Sequence, residues 1–282
     1  MNICIVISAH NEEEFLAQTL DSILAQTLQP VQLIVVDDNS SDQTFNIASD
    51  YAKQHKFLSV VKNSSSDEHL PGSKVINAFN EGLKHASQAY DVICKFDADL
   101  IFPKEYLEQI VNIYANDPRV GMAAGLCTVF NGSKWITEGA TNKDHIRGAL
   151  KSYRKACFEE VGGLDEAMGW DTADELKARF FGWKVTVTEQ LLVRHLRPTG
   201  HNYSNAQALK QGEALYKLRY SFALAMITAL KMAWNKNSIG YFSNYLKGFK
   251  RAKTMDSKPI VSKEQGAFIR AYRWRNLLKK LG

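Results

Sequence analysis

Short apolar runs alternate with amphipathic stretches over the first hundred residues of the chain. The apolar runs predict strands at residues 3–7, 32–36, 57–61 and 91–96. The stretches between them, in which apolar residues recur at helical spacing, predict helices at 12–26, 43–54 and 73–89. This alternation predicts a parallel, doubly wound sheet with helices on both faces.

The alternation of strands and helices is less regular in the middle of the chain and ends near residue 200. The middle third predicts strands at 120–130 and 184–188, a helix near 148–161 and a short helix from about 172 to 181. From 200 onward the sequence is helical and basic. The pattern therefore indicates an α/β domain over 1–199, in two halves at about 1–102 and 103–199, followed by a helical C-terminal region over 200–282.

Three polar clusters directly follow predicted strands, at residues 8–12, 37–42 and 97–99. In open parallel sheets, ligands bind at the carboxyl ends of the strands. We therefore expect the three clusters to converge on one edge of the sheet and to form a site there.

Asp97 and Asp99 form a D-x-D motif inside an apolar run, with Lys95 expected to point away from them. Burying unpaired carboxylates is costly, so such a pair indicates a bound metal, a shared proton or a solvent-open edge. Two carboxylates suit Mg²⁺ or Mn²⁺ carrying a nucleotide diphosphate. The alternative is a pair of solvated turn residues. Neither G-x-G-x-x-G nor a P-loop motif is present.

The other two clusters also have a structural and a functional interpretation. The Asp37–Asp38 pair could open a helix through Ser41 or Asp42 as N-cap, or one carboxylate could accept the imide N–H of a nucleobase. Asn11 and Glu12 could likewise mark a helix start or line the base pocket.

The charge distribution and the cysteine content bear on where in the cell the protein is expected to act. Residues 1–199 carry 19 Lys and Arg against 27 Asp and Glu, whereas residues 200–282 carry 16 against 3. The four scattered cysteines are typical of reduced core thiols in a cytoplasmic protein, and no signal peptide is recognisable.

The basic C-terminal region raises the question of a membrane or nucleic-acid partner. An aromatic stripe beside basic residues predicts an interfacial helix on an anionic membrane; its apolar members are Tyr241, Phe242, Tyr245, Leu246 and Phe249. The alternative is that this stripe packs into the protein core. Nucleic acid is not an expected partner, because no recognised module accompanies the charge.

Several segments together resemble the family 2 glycosyltransferases. The likeness is carried by "VISAHNEEEFLAQTLDSILAQT" at 6–27, "LIVVDDNSSDQT" at 33–44, "NAFNEGLKHA" at 77–86, "VICKFDADLIFP" at 92–103 and "GGLDEAMGWDTADELKARFFGWKV" at 162–185. It covers about 195 residues in the order and spacing of the family. It implies a GT-A fold, with a Rossmann-like nucleotide half and an acceptor half.

The resemblance also implies roles for individual residues. Those assigned to the nucleotide are Ala9, Asn11, Glu12 and Asp38, with Asp97 near the ribose and the metal. Asp99 is assigned to the metal directly, and His195 is a further candidate ligand, with a purely structural histidine as the alternative. An imidazole is more acceptable to Mn²⁺ than to Mg²⁺.

The implied reaction is a single inverting displacement by an acceptor hydroxyl, assisted by a carboxylate base. Many relatives show Glu-Asp before an amphipathic helix, whereas this chain has Asp171 and Asp174 there. Counting back from the Gly182–Trp183 pair places Asp171, expected just before the helix, on the base position. Asp174, a turn further on, is the alternative.

The likeness implies a UDP-sugar donor and a glycan or lipid-linked acceptor in polysaccharide biosynthesis, acting in the cytoplasm or peripherally on the inner membrane face. The segment 130–147, where acceptor contacts are expected, carries no readable motif. Two rivals remain: a non-catalytic binding protein of the same shape, and a phosphohydrolase with Asp97 as nucleophile. The phosphohydrolase is disfavoured because its D-x-D strand should open the fold.

Overall fold

The structure is a computed structural model that describes residues 1–64, 72–138, 145–197 and 205–279 of the chain. Two compact units are distinguished by their internal contacts. The sheet unit comprises Met1–Leu164 and Phe181–Thr199, and the helical unit comprises Asp165–Phe180 and Gly200–Gly282. The functional division of the chain near residue 199 stays a prediction.

The sheet unit is an α/β structure built around one curled sheet. Its strands are β1 Ile3–Ala9, β2 Gln32–Asp38, β3 Leu58–Asn63, β4 Val92–Asp97, β5 Leu100–Ile101, β6 Val120–Phe130, β7 Trp135–Thr137, β8 Leu150–Arg154 and β9 Lys184–His195. Its helices are α1 Leu16–Leu24, α2 Thr44–Gln54, α3 Ser73–Lys84, α4 Tyr106–Asn116 and α5 Lys155–Val161.

The strand order is β3-β2-β1-β4-β8-β6-β9-β5, with β7 paired to β6. Strands β3, β2, β1 and β4 run parallel, as the sequence pattern predicts, and β6 and β9 are parallel to each other. The side chains of β1, β2 and β4 are almost completely buried, for example Ile5 and Val35. Continuous aliphatic runs fit this position because helices cover both faces of a parallel sheet.

The predicted helix near 148–161 is wrong in its first half. Residues Leu150–Arg154 form β8, which lies antiparallel between β4 and β6, and only Lys155–Val161 is helical. Lys151 and Ser152 in this strand are completely buried. Their polar side chains hid the strand in the sequence pattern, because a central strand normally reads as a run of aliphatics.

The helical unit contains α6 Trp170–Phe180, α7 Asn205–Lys217, α8 Phe222–Asn235, α9 Ile239–Thr254 and α10 Lys263–Leu278. Helices α7 and α9 approach closely at two glycines. A Cβ on Gly212 would lie 1.9 Å from the carbonyl oxygen of Tyr245, and one on Gly248 would lie 1.9 Å from that of Leu209. Only glycine therefore permits this helix crossing.

The close crossing buries the aromatic stripe that the sequence offered to a membrane. Tyr241, Tyr245 and Phe249 are at most 6% exposed, and Phe242 and Leu246 pack against the same core cluster. The interfacial interpretation of this stripe is wrong, and the core-packing alternative is the correct one. None of the helices in the described ranges is both long and apolar enough to cross a membrane.

Cys4, Cys94, Cys127 and Cys157 are all buried free thiols, as expected from their place in apolar strands and helices. Burial raises the pKa of Cys4 to about 12, so this thiol stays protonated at neutral pH. The cysteines therefore act as small core residues.

Candidate active site

The three polar clusters converge where the parallel strands end. Ser8 pairs with Asp97 across β1 and β4, and Ala9, which is buried, pairs with Asp37 across β1 and β2. Asp38 in turn pairs with Asn63 across β2 and β3. The shared register brings the ends of four strands to one edge, as the sequence predicts.

The loops after β1 and β2 hold each other in place. Asn11 adopts a left-handed backbone conformation with φ of 53°, which asparagine tolerates better than most residues. Its side-chain Oδ1 accepts the backbone N–H of Ser41 at 2.8 Å, and the N–H of Glu12 donates to Thr44 Oγ1 at 2.7 Å. The first bond fixes the loop through Asn11, and the second holds the backbone of Glu12 in place.

Asp37 and Asp38 are both buried but differ in their partners. Asp38 Oδ1 accepts a hydrogen bond of 2.9 Å from Asn63 Nδ2, and the Asp38 carbonyl lies 2.7 Å from His10 Nδ1. Asp37 Oδ1 is buried and has no hydrogen-bond partner within the described ranges. A buried oxygen without a donor is costly, so this edge of β2 is suited to a ligand that brings an N–H group.

Lys95 does not point away from the D-x-D motif. Its Nζ contacts Asp97 Oδ1 and donates to the Gly148 carbonyl at 3.0 Å. Residues two apart on a strand share a face, so Lys95 and Asp97 are on the same side of β4. The expectation that the D-x-D motif has no basic partner is therefore wrong for Asp97, which is held by an ion pair with a buried lysine.

Asp99 is the less satisfied carboxylate of the pair. It is 7% exposed, and its Oδ1 has no hydrogen-bond partner in the part of the chain that the structure describes. Its Oδ2 lies 3.3 Å from His195 Nε2. The turn itself is fixed by Thr19, whose hydroxyl donates to the Ala98 carbonyl and accepts the N–H of Leu100.

His195 reaches Asp99 because β9 is longer than the sequence predicts. The strand continues to His195, which pairs with Leu100 directly after the D-x-D turn. On the other side of the ring, His195 Nδ1 lies 2.9 Å from Glu138 Oε2, and Arg147 lies 2.7 Å from Glu138 Oε1. Burial lowers the pKa of His195, but the hydrogen bonds to Asp99 and Glu138 outweigh it and raise the pKa to about 9.

Glu138 and Arg147 have no signal in the sequence, since both belong to the motif-free segment 130–147, of which 139–144 lie outside the described residues. Glu138 also forms a buried group of possible metal ligands with Cys127 and His195. Burial raises the pKa of Cys127 well above its ordinary value, so the thiolate that a metal requires is disfavoured. This group is better described as a hydrogen-bonded support behind His195.

Glu12 is paired with Arg197, which the sequence analysis overlooked. The two side chains form a bidentate ion pair with N–O distances of 2.9 and 3.0 Å. Burial raises the pKa of Glu12 to about 7, against the opposing effect of Arg197 and with further repulsion from Asp99. Arg197 lies two residues after His195, and this closeness to a candidate metal ligand could have marked it as a residue of the site.

The two candidate bases lie in the helical unit. Asp171 is the second residue of α6 rather than a loop residue before it, because the helix begins at Trp170 and not near 172. It is half-buried. Asp174 is 1% exposed, and its Oδ1 accepts the backbone N–H of Glu175 at 2.6 Å. Of the two carboxylates, Asp171 is the more accessible.

A sheet of this topology, with carboxylates at the carboxyl ends of its strands, is typical of α/β proteins that bind their ligands at that edge. Residues 4–161 match the family model described as "Glycosyl transferase family 2", which covers more than half of the chain. The chain therefore belongs to the family 2 glycosyltransferases.

Among curated proteins, the chain is 27% identical over 205 residues to the "Probable glycosyltransferase YdaM" of Bacillus subtilis, covering 65% of this chain and 48% of the relative. It is also 27% identical over 217 residues to the poly-beta-1,6-N-acetyl-D-glucosamine synthase of Staphylococcus epidermidis, covering 70% and 50%. The chain thus spans about half the length of these relatives.

Two solved structures share the fold. The mannosyltransferase PcManGT of Pyrobaculum calidifontis, in complex with GDP-Man and Mn²⁺, superposes with a TM-score of 0.58 at 15% identity, covering 95% of this chain and 78% of that one. S. aureus TarS in complex with UDP-GlcNAc gives 0.59 at 18%, covering 83% and 67%. At these identities the likeness establishes the GT-A fold alone.

Proposed function

We propose that this chain transfers a sugar from a nucleotide-diphosphate donor to a hydroxyl of a glycan or lipid-linked acceptor, with inversion at the anomeric carbon. The observation that carries the proposal is the buried Asp99 carboxylate, which has an oxygen without a partner within the described ranges and lies at the edge where four strands end. A UDP-sugar is the favoured donor, in keeping with the poly-N-acetylglucosamine synthase among the relatives and the UDP-GlcNAc complex of TarS.

The residues at this edge fit a divalent cation. Asp99 offers the oxygen without a partner, and His195 Nε2 lies 3.3 Å from its other oxygen. Asp97 adds a second carboxylate, already oriented by Lys95. Mixed oxygen and imidazole donors favour Mn²⁺ over Mg²⁺, and PcManGT was solved with Mn²⁺. When bound, the metal would act as a Lewis acid that neutralises charge on the diphosphate leaving group.

The nucleotide would lie against Ala9, Asn11, Glu12 and Asp38. Asn11 shapes the loop through its bond to Ser41, so its contribution is to hold the pocket open. Glu12 and Asp38 supply the acceptors for polar groups of the nucleoside. Because buried acceptors that lose their donor cost about 1–3 kcal/mol, these positions discriminate between bases as well as bind them.

Asp171 is the proposed general base. It would take the proton of the acceptor hydroxyl as that oxygen bonds to the anomeric carbon, while the bond to the diphosphate breaks and its electron pair leaves with the nucleotide. Asp174 is the alternative, but its side chain is buried and already accepts the N–H of Glu175. A cytoplasmic site of action, at the inner face of the membrane, follows from this donor and a lipid-linked acceptor.

Thermal unfolding with nucleotides tests the proposal. UDP with Mn²⁺ should stabilise the protein, and at a hundred times its dissociation constant the gain is about 2.7 kcal/mol. UDP with a chelator and CDP with Mn²⁺ are the controls. UDP-GlcNAc incubated without an acceptor should release UDP slowly. Binding without any release of UDP would indicate a non-catalytic protein. Greater stabilisation by GDP than by UDP would overturn the choice of uracil as the nucleobase of the donor.

A further inference from the structure

Helix α8 carries a row of apolar side chains that are at least 42% exposed. The row, here called the α8 stripe, consists of Phe222, Met226, Leu230 and Trp234, with exposures of 45%, 42%, 61% and 82%. These residues are four apart and therefore follow one face of the helix over about 18 Å. Other side chains of the helix are buried, namely Leu224, Ala225, Ala229 and Ala233, and the first three belong to the core cluster of the helical unit.

The segment that carries the α8 stripe is basic. Residues 221–255, which include α8 and α9, contain six Lys and Arg and no Asp or Glu. Lys231 is exposed on α8 itself, and Lys250 Nζ lies 5.8 Å from the centre of the Phe222 ring. An apolar face flanked by cations is the arrangement of a helix that lies in the interface of an anionic membrane.

A cavity at the N-terminal end of the α8 stripe strengthens the match. It has a volume of about 220 Å³ and shares Phe222 with the stripe. Arg219 and Lys253 line it together with aromatic side chains, and Arg219 is oriented by donating from Nε to the Val261 carbonyl at 3.0 Å. Two cations beside an apolar row suit a phosphate headgroup whose acyl chains continue along the row.

We propose that the α8 stripe and this cavity form a docking surface for an anionic phospholipid membrane. A second copy of the chain is a poor occupant, because two such surfaces would bring the like charges of Arg219, Lys250 and Lys253 on each copy together. The proposal assigns membrane contact to α8, whereas the aromatic stripe of α9 is buried. It does not depend on the proposed reaction, since lipid binding and sugar transfer are measured separately.

Sedimentation of the full chain with vesicles tests the surface. We expect binding to vesicles of phosphatidylcholine mixed with phosphatidylglycerol and much weaker binding to phosphatidylcholine alone. Leu230→Ser should weaken binding about tenfold, since burying a leucine is worth at least that factor. Leu278→Ser is the matched control, because Leu278 is a leucine of the same unit with a similar exposure of 65%. Equal losses in both variants, or none in Leu230→Ser, would overturn the proposal.

Two further pairs of measurements test whether positive charge contributes to binding and whether the stripe inserts into the membrane. Lys231→Gln should lower the affinity for anionic vesicles about fivefold, whereas Lys263→Gln, an equal change of charge on α10, should not. Vesicles should shift the tryptophan emission to the blue in the wild type, and Trp234→Phe should bind but lose most of the shift. Sedimentation without lipid provides the last check: a dimer that Leu230→Ser converts to monomer would assign the stripe to a second copy instead.

Discussion

The hydrogen-bonded group around His195 makes the stability of the metal-free protein depend on pH. His195 is 3% exposed, and its pKa rises from 6.5 to about 9 through its bonds to Asp99 and Glu138. A group that binds its proton more tightly in the folded state contributes its full stability below the unfolded pKa. That contribution is lost as the pH rises through the folded pKa. The protein should therefore lose stability between about pH 6.5 and 9.

The magnitude follows from the size of the shift. One pKa unit corresponds to 1.36 kcal/mol, so the free energy of unfolding should fall by on the order of 2 kcal/mol between pH 6.5 and 8.5. Glu12, whose pKa is raised to about 7, adds a loss in the lower part of this range. The four buried thiols add a further loss that begins at about pH 8, where unfolded cysteines start to ionise. A comparison of variants separates these contributions.

Urea unfolding in the presence of a chelator, at several pH values, is the assay. His195→Gln should flatten the pH dependence of the unfolding free energy relative to the wild type, whatever its own stability. His85→Gln is the control, since His85 is an exposed histidine on the surface of the same unit. Parallel pH profiles for wild type and His195→Gln would refute the argument that His195 holds a proton between two carboxylates.

Three further predictions concern the proposed reaction. Asp99→Asn should keep the fold but abolish the Mn²⁺-dependent stabilisation by UDP, because it removes an anionic ligand without changing shape; persistence of that stabilisation would exclude Asp99 as a ligand. Asp38→Ala should weaken UDP binding about tenfold while Mn²⁺ binding persists, since a buried acceptor is lost; isothermal titration that finds UDP affinity unchanged would rule out this contact. Asp171→Asn should lower transfer by about a hundredfold to ten-thousandfold at near-normal donor affinity, and Asp174→Asn much less; the reverse ranking of transfer rates would make Asp174 the base.

The hydrophobic pattern was sufficient to predict strands β1 to β4 of the sheet. Aliphatic runs such as 33–36, alternating with amphipathic helical stretches, are typical of buried strands in a covered parallel sheet, and the polar residues directly after such strands share an edge. This is why the convergence of Asp38, Asp97 and Asn11 could be predicted without coordinates. The family likeness rests on the same segments, and the family match over 4–161 agrees with it.

The pattern failed where polar side chains are buried. Lys151 and Ser152 made β8 look like part of a helix, yet both are inaccessible between β4 and β6. Lys95 was assigned to the wrong side although its spacing from Asp97 places both on one face of the strand. A buried polar residue needs a partner, and local sequence rarely names that partner.

What the sequence by itself determined is the alternation of strands and helices, the family and the edge at which the polar clusters meet. Only the tertiary structure decided which distant groups complete that edge: Glu138 lies 57 residues from His195 in the chain, and Arg197 lies 185 residues from Glu12. It also decided which apolar stripe of the basic region is covered. Periodicity shows that a helix has an apolar face but not what covers it. The aromatic face of α9 is buried where α7 and α9 make close contact at Gly212 and Gly248, whereas the α8 stripe stays exposed.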